Sequence, residues 1–298
     1  LLDFSLESNR SFSSSFKEEE SATSGGGLAV RAIYIDDNDP SFNWITTEMS
    51  FPWCNGSGTE IDPYIIENVF LDGEGTDTCI SIKNSDKFFE IRNCTLINSG
   101  EWTLPNYHAG VKLENVKNGL LENNTFNFHQ GRAVALLSNS IDNNIVDNTM
   151  KHNYGGILID NSPDNNVLRN RLQNTTWTHA ILFSTSNNTM VKNNYIKESG
   201  MVNMVARAIA AGDSYNSEIR DNEIIDAEGS GINVQGGTDV TIFNNSVSLS
   251  YGFTTIMGIY LSNTNSNSIS NNPLYDNDGH GIYLYNSHNN HIFHNQIA

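Results

Sequence analysis

Residues 110–148 read GVKLENVKNGLLENNTFNFHQGRAVALLSNSIDNNIVDN, and this stretch decides the fold. It contains one unit twice. Each copy opens on a short strand of the form small-apolar-x-apolar, Gly110-Val111-Lys112-Leu113 and then Ala133-Val134-Ala135-Leu136. Each closes on an asparagine framed as apolar-x-x-Asn-x-apolar, Asn124 and then Asn148. Outward from here the opening strand returns at Gly156-Ile157, Ala180-Ile181, Ala208-Ile209, Gly231-Ile232, Gly258-Ile259 and Gly281-Ile282. Successive first apolar residues are 23, 23, 24, 28, 23, 27 and 23 positions apart. The asparagine returns as Asn170, Asn194, Asn222, Asn245, Asn272 and Asn295, with Cys94 at the equivalent place in the first full coil.

A unit of this length with two or three period-2 strands cannot bury its apolar face alone, but stacking each unit on the last can. The spacing therefore predicts an all-β, right-handed single-stranded parallel β-helix of about ten coils, roughly 4.8 Å apart. Val111, Val134, Ile157, Ile181, Ile209, Ile232, Ile259 and Ile282 should form one internal column. Each turn needs a residue that tolerates the left-handed region and satisfies backbone groups, as asparagine does, and stacked asparagines should bond along the axis. A leucine-rich repeat lacks its Leu-x-x-Leu-x-Leu frame here, and a propeller needs repeats of about 40 or more.

The motifs GSGTEIDPYIIEN and Asn-Ser-x-x-Asn-x-Ile, with the Gly-Ile-x-Leu strands, resemble the NosD-like right-handed β-helix family over residues 31–298. That family lies within the carbohydrate-binding and sugar-hydrolase β-helix group. The resemblance implies the fold; its relatives range from copper-related periplasmic proteins to surface proteins and polysaccharide-cleaving enzymes.

The chain has 298 residues, a net charge of −18 and only 17% charged residues, so its acidity reflects scarce Lys and Arg. Such a surface repels nucleic acid and anionic membrane, and disfavours a polyanionic substrate unless cations bridge the two. No apolar run approaches the roughly 18 residues of a membrane span. A start at Leu1 suits a mature secreted form, extracellular or at the cell surface. Cys54, Cys79 and Cys94 allow one intrachain disulfide at most and read as buried small side chains. Seven Asn-x-Ser/Thr sequons permit glycosylation without marking it. Residues 1–30, rich in Ser, Glu and Gly, read as an arm that is flexible or ordered by a partner. Residues 31–75 read as an opening cap with the first coil, and residues 76–298 as the solenoid.

Three coils carry longer links between the asparagine and the next anchor, so the turns at 98–108, 198–206 and 249–257 should leave from one corner. They bring Trp102, Tyr107, Tyr251 and Phe253, and Trp177 lies in a loop between the first two. Aromatic side chains over a groove suit stacking on the C–H face of a sugar, which makes these five the candidate carbohydrate contacts. A second row falls two residues before each anchor and includes Arg132, His179, Arg207 and His280. Arg132, His179 and Arg207, with Lys112, form the best constellation for a β-elimination lyase. Gly279-His280-Gly281 resembles an element of the β-helix polygalacturonases, where Asp276 and Asp278 would serve as the acid–base carboxylates. The remaining polygalacturonase motifs are missing. Asp37 and Asp39, in DDND, are the candidate ligands for calcium, the one cofactor these residues suggest. His288 and His291 are the candidate ligands for copper.

Three functions compete on this sequence. The favoured expectation is a non-catalytic extracellular scaffold that assembles with itself into oligomers or filaments through the arm and a last coil lacking a polar cap. The alternatives are a polysaccharide lyase, hydrolase or epimerase working beneath the long turns, and a glycan-binding module using the same groove.

Overall fold

The computed structural model describes residues 29–30, 32–200, 206–251 and 256–298. These residues form a right-handed parallel β-solenoid with three sheets running its length. Within one coil, sheet 1 holds the anchor strand (Ala109–Val116), sheet 2 the strand before the asparagine (Gly119–Glu122), and sheet 3 the strand after it (Thr125–Asn127). Among the described residues the sheets contain 10, 11 and 11 strands. Among the described residues all strand pairs are parallel except Cys54–Asn55 against Tyr64–Glu67.

The predicted column is present. Val111, Val134, Ile157, Ile181, Ile209, Ile232, Ile259 and Ile282 are register partners in unbroken succession. The first seven are fully buried, and Ile282 on the last coil is partly covered. The small residue before each anchor has a steric cause. A Cβ on Gly231 would stand 2.3 Å from Val247 Cγ1, and one on Gly156 would stand 2.7 Å from Leu172 Cδ2. This position faces inward under the sheet 3 side chains; it tolerates Ala at 133, 180 and 208, whereas at Gly156 and Gly231 even a Cβ is excluded.

The stacked asparagines divide two jobs between neighbours. The residue before each one takes the left-handed turn: Asn123, Asp147, Arg169, Asn193, Asp221, Asn244, Asn271 and His294 all have φ between 53° and 57°. The buried asparagine itself makes the ladder. Asn148 Oδ1 accepts from the backbone N–H of Asn124 (2.9 Å) and from Asn124 Nδ2 (3.1 Å). Asn148 Nδ2 donates to Leu121 O (2.8 Å) and Asn170 Oδ1 (3.0 Å). The pattern repeats through seven links to Asn295. Cys94 occupies the same column, its N–H donating to Asn124 Oδ1 (2.9 Å). A second polar corner, between sheets 1 and 2, stacks Ser140, Ser162, Ser186 and Ser214 in the same manner. Burying amides at this density is tolerable because each finds its partners.

The opening cap contains a helix that the sequence reading did not anticipate, α1 (Trp44–Ser50), with Asn43 as its N-cap. Trp44 stacks on Tyr64 with ring centroids 4.9 Å apart and donates from Nε1 to Ser85 Oγ (3.0 Å). Cys54, Cys79 and Cys94 are buried and unpaired, and burial pushes their thiols up to about 12, 12 and 11. No helix among the described residues is long and apolar enough to cross a membrane. Residues 1–28 of the expected arm lie outside the described residues.

Candidate functional site

The three long turns all join sheet 3 to sheet 1, following Thr95–Ile97, Tyr195–Gly200 and Ser246–Ser248. They therefore share one corner, beside the outer face of sheet 1. Residues 201–205 and 252–255 of those turns, Phe253 among them, lie outside the described residues.

That outer face displays two columns near the corner. The first, two residues before the anchors, runs Ala109, Arg132, Gly155, His179, Arg207, Ser230, Met257 and His280. The second, one residue after the anchors, runs Lys112, Ala135, Leu158, Leu182, Ala210, Asn233, Tyr260 and Tyr283. Neither contains a carboxylate. Trp102 folds back from its turn onto Ala109, Ala135 and Leu158, so part of this outer face is dry.

Arg132 lies under that cover and is 6% exposed. Its guanidinium sits 5.9 Å from the centre of the Trp102 ring and donates from Nη2 to Thr178 Oγ1, two coils onward, at 3.2 Å. Gly155 makes this reach available, since a Cβ there would stand 2.6 Å from Arg132 Cδ and 2.7 Å from Nη1. Arg132 Nε and Nη1 are buried without a hydrogen-bond partner, and the side chain has no ion pair among the described residues. Burial lowers its pKa to about 10, against the opposing pull of the nearby Tyr154 phenol.

His179 follows in the same column. Its Nδ1 accepts the backbone N–H of Arg207 (2.9 Å), which leaves the ring proton on Nε2. Burial, then the cations of Arg207 and Arg132, depress its pKa to about 3. The imidazole is thus a fixed neutral donor and cannot serve as a base. Arg207, half-buried, is also lowered by burial, with the Tyr260 phenol acting in the opposite sense. Lys112 is held by Asn106 O (3.1 Å) and Glu114 (3.5 Å), so it ties down the first long turn. The expected lyase constellation thus shares one edge, but it supplies two guanidiniums and a neutral imidazole rather than a free base.

Tyr107 is tilted against Trp102 at 5.2 Å, and Trp177 stacks on Tyr154 at 6.0 Å. Tyr251 is exposed and donates to Glu228 Oε1 (2.9 Å); burial and Glu228 raise its phenol to about 12. Asp276 and Asp278 lie exposed in the last turn, where their backbone N–H groups bond Ala298 O and Ser250 O. No hydrogen bond or ion pair among the described residues joins either to His280, which stacks instead on Tyr283 at 5.3 Å.

The metal candidates have other work. Asp37 accepts from Ser85 Oγ (2.6 Å) and Trp44 N (3.3 Å), and Asp39 accepts from Ser41 N (2.9 Å). His288 sits in a turn bridged to Asn265, and His291 opens a sheet 2 strand. No group of three His, Cys, Asp or Glu among the described residues could hold a metal ion.

Sequence reasoning passed over Tyr154, Thr178, Asn233, Tyr260 and Tyr283. The available signal was Gly155: a missing side chain between Arg132 and His179 marks a hollow that a neighbour can fill.

The profile of the family described as "Right handed beta helix region" matches residues 53–207 and 203–298. The chain belongs to the right-handed β-helix family. Among solved structures, this β-helix is similar to the A-module of a mannuronan C-5 epimerase of Azotobacter vinelandii. The TM-score is 0.60 at 13% identity, over 78% of this chain and 73% of the other. A periplasmic alginate epimerase gives 0.58 at 17% identity, over 90% and 63%. An alginate lyase from Paenibacillus sp. gives 0.55 at 13% identity, over 78% and 85%. At such identity the likeness is one of fold. No curated protein sequence matches the chain.

Proposed function

We propose that this β-helix is a secreted or periplasmic protein that binds a polysaccharide along the outer face of sheet 1 and modifies it by lyase or epimerase chemistry. The observation that carries the reading is the convergence on one face of buried basic side chains, aromatic turns and no carboxylate in either column near the corner. Hydrolysis needs two carboxyl groups flanking the bond. Proton abstraction beside a sugar carboxylate needs instead a cation to hold that carboxylate and a group to exchange the proton. Arg132 and Arg207 supply the first need. Tyr154, close enough to influence Arg132, is the candidate for the second. The net charge of −18 does not forbid an acidic polymer, because the charged side chains in the two columns near the corner are Lys112, Arg132 and Arg207, with Asp36, Glu114 and Asp160 lying in the next outward column of the same face. That a mannuronan epimerase, an alginate epimerase and an alginate lyase share the fold supports the reading without assigning the substrate.

A self-assembling scaffold gives no reason to bury an unpaired guanidinium under a tryptophan, and its expected contact, the arm, lies almost wholly outside the described residues. The test is incubation of the full chain with a panel of uronate polymers. Rising ultraviolet absorbance identifies a lyase, and altered proton NMR signals without chain cleavage identify an epimerase. New reducing ends without absorbance, or no change on any polymer, would overturn the proposal.

A further inference from the structure

A buried cation with open donors is a costly feature, and the structure builds this one deliberately from several residues. Gly155 removes a side chain so that Arg132 can lie flat across one coil. Thr178 takes one guanidinium N–H, leaving Nε and Nη1 unpartnered. His179, whose Nδ1 accepts the Arg207 backbone N–H, keeps its Nε2–H for donation. Among the described residues the one aromatic ring under the Arg132 cation is that of Trp102, a weaker partner than any carboxylate at the same place.

We infer that Arg132, in the hollow made by Gly155 and covered by Trp102, is a carboxylate-binding subsite that selects an acidic sugar. The inference rests on the polysaccharide reading for its natural ligand and on Arg132 alone for its chemistry. An isolated buried charge destabilises the fold until an anion joins it, whereas a structural arginine stabilises it. The two roles thus predict opposite responses when the charge is removed.

The experiment compares the full wild-type chain with Arg132→Met and Arg132→Lys in two arms. In the first, melting temperature is followed as sodium acetate replaces sodium chloride at constant ionic strength. Wild type should be stabilised progressively by mass action, and Arg132→Met should not respond. Without acetate, Arg132→Met should melt at the same temperature as wild type or higher. In the second arm, calorimetry compares an oligogalacturonate with its carboxyl-reduced counterpart. Wild type should prefer the acidic oligomer about tenfold or more, Arg132→Met should lose that preference, and Arg132→Lys should keep part of it. Equal acetate responses in wild type and Arg132→Met, or a markedly lower melting temperature for Arg132→Met, would overturn the inference even if a polymer binds. An acetate response confined to wild type with neither oligomer bound would keep the anion site and remove the polysaccharide reading.

Discussion

Two adjacent glycines show how differently one residue type can be used. A Cβ on Gly156 would meet Ala180 O, a backbone atom that cannot move aside, at 2.0 Å. One on Gly155 would meet the flexible Arg132 side chain. Gly156→Ala should therefore lower unfolding stability by about 1–3 kcal/mol, the usual cost of overpacking. Gly155→Ala should cost less than Gly156→Ala but displace Arg132 and weaken binding of acidic oligosaccharides; urea denaturation and calorimetry separate the two effects. His129 gives a second prediction. It is buried, and its Nδ1 accepts the N–H of Ser99 (3.0 Å). Burial depresses its pKa from 6.5 to about 3. The unfolded chain therefore takes up the extra proton below about pH 6.5, so stability is full above that pH and falls on acidification. For His129 alone the loss should approach 1.4 kcal/mol per pH unit until about pH 3. In His129→Asn, which offers the amide used one coil later by Asn153, urea titrations at several pH values should show a correspondingly flatter acid slope.

At the scale of the element, the repeat was legible because packing dictates it: anchors, small residues before them and buried asparagines follow from stacking alone. The left-handed residue was misplaced by one position, since Asn commonly occurs at both places and periodicity cannot tell Asn123 from Asn124. The corner of the long turns was readable from link lengths. What those turns cover was not, because Trp102 folding onto Ala135 depends on contacts between coils with no fixed spacing. The ladder predicts its own weak point. Asn148→Leu would strip the partner from the buried Asn124 N–H, from its side-chain amide and from Leu121 O. A loss of about 2–5 kcal/mol in denaturant unfolding is expected, more than one hydrogen bond would give, because buried donors are left without partners.

Over the whole molecule, summed charge says nothing of which face carries the few basic residues, so net acidity does not by itself decide between a neutral and an acidic polymer. The chemistry of Arg132 depends on Gly155 and Thr178 from the next two coils, a relation that appears only once the coils are stacked. The asparagine ladder also has a direction. The buried N–H of Cys94 donates to Asn124, that of Asn124 to Asn148, that of Asn148 to Asn170, and so on to Asn295. Every acceptor arrives from the coil that follows, so this corner of each coil closes only when its successor is in place. An orphaned buried donor is tolerated less than an idle acceptor oxygen. A chain leaving the ribosome amino end first would thus carry one open corner at its growing tip. Each new coil would seal the one before it, passing that opening along the solenoid in step with translation.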